Sequence, residues 1–192
     1  FNLLQIRPIV ENKEIVDISL EDTSYEDTLL FSHNAMGNGI INGIYDVIYV
    51  KPDAFDSARN QEMALMIEQL NQKMITEKRY YILVGPGRWG SSDSWLGIPV
   101  KWSQISNARV IVESGLENYR VDPSQGTHFF HNLTSFRVGY FTINPYIQDG
   151  FYNVDFLSRQ AAEFENDLIR HIRFKNELPV KIDGRKHVGI VF

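Results

Sequence analysis

The chain has 192 residues, enough for one domain with a sizeable core or for a domain with appendages. Its formal net charge of −5 argues against a dominant nucleic-acid or anionic-membrane surface, since polyanions need a basic face, but leaves room for a local phosphate pocket. Cysteine is absent, which excludes disulfide and thiolate chemistry and suits a cytoplasmic location.

The chain opens Phe1-Asn2-Leu3-Leu4-Gln5-Ile6-Arg7-Pro8, an apolar strand closed by a proline. No basic n-region precedes it, so no signal peptide is expected, and the missing initiator Met points to an excised fragment. No apolar run approaches the roughly 20 residues of a membrane span. Residues 11–30 are acidic and polar, with only a weak Ile15, Ile18, Leu20 pattern, and read as a linker. Ser32 to Gly39 is turn chemistry, and 40–50 is strand material broken or bulged at Gly43. Asp53 suits a helix N-cap, with Asp56 in the first turn. Met63, Met66, Ile67, Leu70 and Met74 then share one face of a helix over 55–77, most simply packed on a sheet.

Tyr80-Tyr81-Ile82-Leu83-Val84 predicts a central strand, and 96–100, 108–113 and 138–143 predict further strands. A second helix is expected over 155–164. Ile169, His171 and Arg173 alternate, and 179–182 and 188–191 around an Asp183-Gly184 turn give a C-terminal hairpin signal. Twelve Phe and nine Tyr favour a β-containing core. The fold class is therefore α/β, a mixed sheet with flanking helices plus a C-terminal β-hairpin.

Gly85-Pro86-Gly87-Arg88-Trp89-Gly90 matches G-x-G-x-x-G after a strand, with Glu113 as a candidate ribose acceptor. The dinucleotide fingerprint also needs a helix to open at the loop, and Gly97 and Pro99 deny one here. A nucleotide-cofactor oxidoreductase is thus the weakest functional class. The turn offers phosphate- or carboxylate-binding parts instead: backbone N–H groups of Gly85, Gly87 and Gly90, the Ser91 and Ser92 hydroxyls, and the Arg88 guanidinium. The plain structural alternative is a turn in which Arg88 pairs with Asp93.

His128 and His131 lie in Gly126-Thr127-His128-Phe129-Phe130-His131. Spacing of three puts both on one helix face, so a metal pair is conceivable, but no carboxylate accompanies them at ligand spacing and no metal is expected. They can equally be ordinary hydrogen-bonded histidines, or one can be a nucleophile that accepts a phosphoryl group.

The Gln-x-Arg-Pro strand, the Ile82-Leu83-Val84 strand with Pro86, and the two long motifs GPGRWGSSDSWLGIPV and DPSQGTHFFHNLTSF together resemble the C-terminal region of phosphoenolpyruvate synthase and pyruvate phosphate dikinase-like proteins. The resemblance covers nearly the whole chain. It implies that 1–10 are the last strand of an upstream ATP-grasp domain, with Gln5 and Arg7 facing its triphosphate. Residues 31–192 would then be a swivelling phosphohistidine-like domain with a hairpin extension. His128 falls at the phosphohistidine position. Gln125-Gly126-Thr127 stands where the family has a double Gly and a Ser, and two Phe stand where it has a small Ala pair.

The resemblance implies a phosphotransferase that relays a phosphoryl group from ATP through His128, with Arg88 neutralising charge. ATP and Mg²⁺ would be bound upstream in a full-length protein, and the fragment alone would be inactive. The partners it implies are that upstream domain and a small phosphorylated ligand. The alternative is a non-catalytic docking or anion-sensing domain attached to an ATP-grasp module.

Overall fold

The computed structural model describes residues 28–91, 93, 95–117, 120–122 and 138–192. In chain order these form β1 (Leu30–Ser32), β2 (Asn34–Met36), β3 (Gly39–Ile41) and β4 (Ile44–Val50), then helix α1 (Asn60–Thr76) and β5 (Tyr80–Pro86). A short parallel pair, β6 (Arg88–Trp89) and β7 (Gly97–Ile98), leads to β8 (Ala108–Ser114), β9 (Gly139–Ile143) and β10 (Phe151–Tyr152). Helix α2 (Val154–Arg159), β11 (Ala162–Glu165), β12 (Ile169–Arg173), β13 (Val180–Asp183) and β14 (Val188–Val191) follow.

A seven-stranded sheet in the order β11-β12-β4-β5-β8-β9-β2 carries four parallel strands, β4 to β9, at its centre and antiparallel strands outside them. Parallel strands need cover on both faces, and their near-continuous apolar runs supply it. Tyr81 and Leu83 of β5 point to one face, where they meet Met63, Ile67, Leu70 and Met74 of α1. Ile82 and Val84 point to the other, against Val180, Ile182 and Val191 of a second, five-stranded sheet ordered β10-β1-β14-β13-β3. The architecture is thus three layers, helix on mixed sheet on antiparallel sheet.

In β8 the register against β5 slips by one residue at Arg109, between the pairs Tyr81 with Ala108 and Ile82 with Val110. That bulge lets Ala108 and Ile111 face the helix layer while Val110 and Val112 face the second sheet. No helix among the described residues is long and apolar enough to cross a membrane.

The Met face of α1 packs on the sheet as its spacing predicts. The entry to the helix differs from expectation. Pro52–Ala54 forms a 3-10 turn, so Asp53 caps nothing; Asp56 instead accepts from the Ala58 amide at 2.9 Å, and the helix begins at Asn60. At the other end Lys78 turns left-handed at φ 54°, with Arg79 N–H donating to the Met74 carbonyl and Lys78 N–H to that of Ile75. That pair of bonds is a Schellman closure.

Two further readings are corrected, over 32–39 and over 155–164. The segment 32–39 is not a turn: β1 and β2 flank His33 and belong to different sheets, so the chain crosses between layers there. The strand material over 40–50 is broken at Gly43 as expected, and the break separates β3 and β4 into different sheets. The helix expected over 155–164 stops at Arg159. Leu157 is its single buried residue, so little packing holds it, and 162–165 hydrogen-bond to β12 as an exposed edge strand instead. The C-terminal hairpin forms as β13 and β14, paired from Val180 with Val191 to Asp183 with Val188.

Candidate functional site

A crevice opens outside the carboxyl ends of the parallel strands, where ligands commonly bind in α/β sheets. Pro52 follows β4 there, Pro86 ends β5, Ser114 ends β8 and Pro145 follows β9, and all four line a pocket of about 80 Å³ with Gly115, Leu116, Tyr146, Tyr152 and Val154. The parallel strands run in sequence order without reversal, so the crevice is not a topological switch point. It is the gap left where the loops after four neighbouring strands diverge.

The glycine loop leaves β5 at the edge of this crevice, and its glycines answer to packing within the protein. A Cβ on Gly85 would stand 2.3 Å from Cζ2 of Trp89, whose indole lies flat against the strand and donates from Nε1 to the Val112 carbonyl at 2.9 Å. Gly87 has φ 68°, and a Cβ there would stand 2.6 Å from the Leu96 carbonyl oxygen. The backbone N–H groups are also engaged. Gly87 donates to Ser114 at 2.9 Å, Arg88 to Leu96 at 2.7 Å and Gly90 to Ile98 at 2.9 Å. Trp89 N–H donates to the Glu113 carboxylate at 3.0 Å. Ser91 Oγ closes its own turn, accepting from the Asp93 amide at 3.1 Å. No helix opens here, so the dinucleotide context fails as the sequence indicates.

Glu113 is fully buried and also accepts from the Tyr140 hydroxyl. It braces the loop against β8 and β9 and is not exposed to receive a ribose, a second ground against the dinucleotide site.

What the loop does present is Arg88. It does not pair with Asp93. Its Nη2 makes one long bond, 3.4 Å, to the Asp122 carbonyl, and its Nε is buried without a hydrogen-bond partner among the described residues. Arg88 joins no ion pair among them either. The 121–122 strand of chain that meets it is pinned by Asn144, whose side chain accepts from Val121 N–H at 2.8 Å and donates to the Val121 carbonyl at 3.0 Å. Gln5, Arg7, Ser92, His128 and His131 lie outside the described residues. Among the described residues no three of His, Asp or Glu gather around a common point that could hold a metal.

Phenols line the far side of the crevice. Burial, and then the neighbouring Tyr49, Tyr146 and Asp53, push the Tyr152 hydroxyl well above the ordinary tyrosine range, so it stays protonated. Burial likewise raises Tyr49.

Sequence reading missed a second cluster, at the opposite end of the sheet. Asp46 of β4 is fully buried and accepts from His171 Nε2, Arg79 Nε and Arg173 Nε, each at 2.8 Å. Burial opposes its ionisation, but the bonds from His171, Arg173 and Arg79 outweigh it and hold the carboxyl below the usual carboxylate range. Arg173 also donates to Glu77 at the end of α1. The signal was present as the alternation of Ile169, His171 and Arg173, which puts an imidazole and a guanidinium on one face of a strand.

No family model matches the chain, and no curated protein or solved structure shows significant similarity to it. The fold and the side chains define the class without them: a mixed α/β domain with a loop-walled crevice at the carboxyl ends of its parallel strands.

Proposed function

We propose that the chain is the C-terminal part of a phosphotransferase similar to phosphoenolpyruvate synthase and pyruvate dikinase, and that its crevice handles a phosphoryl group at Arg88. A single observation carries this reading: Arg88 is a partly buried guanidinium, always charged, with no carboxylate opposite it among the described residues. Its Nε is buried without a partner among the described residues, and an anionic ligand is the natural counter-charge. Asp122, whose carbonyl Arg88 touches, stands six residues ahead of His128 in the sequence.

In this reading a neutral ring nitrogen of His128 donates its lone pair to phosphorus as the bond to the leaving oxygen breaks. Arg88 offsets charge on the transferring oxygens. The amides of the glycine loop are engaged elsewhere, so the guanidinium does the electrostatic work. Mg²⁺ would arrive with ATP on another domain; among the described residues no group of His, Asp or Glu is gathered to hold it. The swivelling phosphohistidine domain is the architecture that this reading assigns to 31–192.

The test has two parts. Titration of the chain with inorganic phosphate, followed by ³¹P NMR, should show saturable binding that Arg88→Ala abolishes. In a parent protein carrying an ATP-grasp domain, radiolabelled ATP should leave an acid-labile, base-stable label that His128→Ala removes. Label that survives the substitution moves the nucleophile elsewhere, and absence of any label sinks the relay.

The packing of Gly85 and Gly87 against Trp89 and Leu96 favours a second reading, in which a rigid loop holds Arg88 only to sense an anion. Phosphate binding without histidine labelling would select it.

A further inference from the structure

The pocket beside Arg88 has a chemistry of its own. Three proline rings, Pro52, Pro86 and Pro145, wall it with Leu116, Tyr146 and Tyr152. Proline offers no N–H, so these walls present apolar ring faces and few donors. Two of the donors that remain are phenolic, and neither the Tyr146 nor the Tyr152 hydroxyl has a hydrogen-bond partner among the described residues. Tyr146 stands at the rim, 56% exposed on a 3-10 turn, with its ring free to cover an occupant.

One water needs about 10–15 Å³ by the same measure, so a pocket of about 80 Å³ holds roughly five to eight water-sized atoms, the girth of one flat ring. Arg88 is tied to two of the pocket's walls through the chain. Pro86 precedes Arg88 by two residues, and Asn144, which pins the segment that Arg88 touches, is followed by Pro145.

We propose that this pocket receives the planar ring of a ligand whose phosphate sits on Arg88, so that the crevice binds a nucleotide rather than a bare phosphoryl group. The inference rests on the anion site proposed above and names its ligand class. Tyr146 stacks on the ring, the prolines sandwich it, and the Tyr152 hydroxyl donates to a ring nitrogen or carbonyl. Apolar walls with a few placed donors are the usual composition of such sites.

The experiment compares inorganic phosphate with cytidine 5′-monophosphate, whose single-ring base matches the pocket, both titrated by calorimetry into the 192-residue chain. The nucleotide should bind at least about tenfold more tightly, the contribution expected of one stacked base. Tyr146→Leu should remove that advantage and leave phosphate binding unchanged. Tyr152→Phe, which keeps the ring and deletes one donor, should weaken the nucleotide alone by about tenfold or less. Thermal melts and circular dichroism of each variant establish that it is folded.

Equal affinities for phosphate and nucleotide, or a nucleotide advantage that survives Tyr146→Leu, overturn the ring pocket and leave the anion site standing. Failure of phosphate and nucleotide alike to bind overturns both.

Discussion

Replacing Asp46 by Asn tests the reasoning about buried charge. The side chain keeps its shape, but its negative charge is lost and one oxygen becomes an NH₂. Oδ1 accepts from both His171 and Arg173 while Oδ2 accepts from Arg79, so the least damaging orientation keeps the amide oxygen at Oδ1 and sets NH₂ against the Arg79 guanidinium. Breaking a buried charge pair costs about 3–5 kcal/mol. Arg79 and Arg173 keep 32% and 25% of their side chains exposed and can recover water, whereas His171 is wholly buried. The expected loss therefore lies at the low end, about 3 kcal/mol, or roughly 6–12 °C in Tm for a domain of this size. Urea denaturation at pH 7 measures it. Asp46 is held below its unfolded pKa, so its contribution is complete above about pH 4 and fades as pH falls through the lower folded value. The variant should accordingly show a shallower loss of stability on acidification below pH 4. A loss under about 1 kcal/mol with an unchanged acid limb would refute the assignment of Asp46 as a net stabilising anion.

Three other substitutions read different parts of the fold. Gly85→Ala drives a methyl into the Trp89 ring at 2.3 Å and should cost about 1–3 kcal/mol by overpacking, with a blue- or red-shifted tryptophan emission as the indole leaves Val112; unaltered stability and emission would deny the close approach. Tyr81→Phe removes one buried hydrogen bond, 3.0 Å to Asn71 Oδ1, but that oxygen keeps the Asn107 amide, so urea denaturation should show only about 1 kcal/mol of destabilisation. Lys78→Gly relieves the left-handed residue that closes α1 and should raise stability by about 0.5–1 kcal/mol, read as a higher midpoint in urea.

The sequence made the buried centre legible because burial on both faces leaves a plain signal. Residues 80–84 are an unbroken apolar run, and the Met-faced helix repeats at a helical period, so β5 and α1 appear where the pattern puts them. Elements held by pairing rather than by burial were hidden. Ala162 to Glu165 are all exposed, and nothing local distinguishes an edge strand there from a helical extension. The crossing at His33 was hidden for a related reason: a chain that passes from one sheet to another needs only a break in alternation, and a break reads as a turn. At the site, Arg88 was found from its loop, but the purpose of the glycines was not. A glycine that admits a ligand and one that admits Trp89 look identical in sequence, and only the 2.3 Å approach separates them.

The buried carboxylate and the half-buried guanidinium differ in a way that bears on function. Asp46, near the amino end of β4, is surrounded by three donors at 2.8 Å, and one of them, Arg173, is also paired with Glu77 at the end of α1, so the carboxylate is matched within the fold. Arg88, beyond the carboxyl end of β5, is held in place by the engaged amides of residues 87–90, yet its own guanidinium keeps one long bond and a buried Nε without a partner among the described residues. A rigid loop around an unsatisfied cation is poor design for stability, because removing the charge should cost the fold little. It is good design for binding, because the geometry is already set before the anion arrives and little ordering entropy is lost on association. The contrast predicts that charge removal at Asp46 is felt in folding and at Arg88 in ligand affinity. Arg88→Ala should therefore shift the urea midpoint far less than Asp46→Asn does while abolishing phosphate binding. A large loss of stability at Arg88 instead would make the guanidinium a structural group and remove the strongest support for the crevice as an anion site.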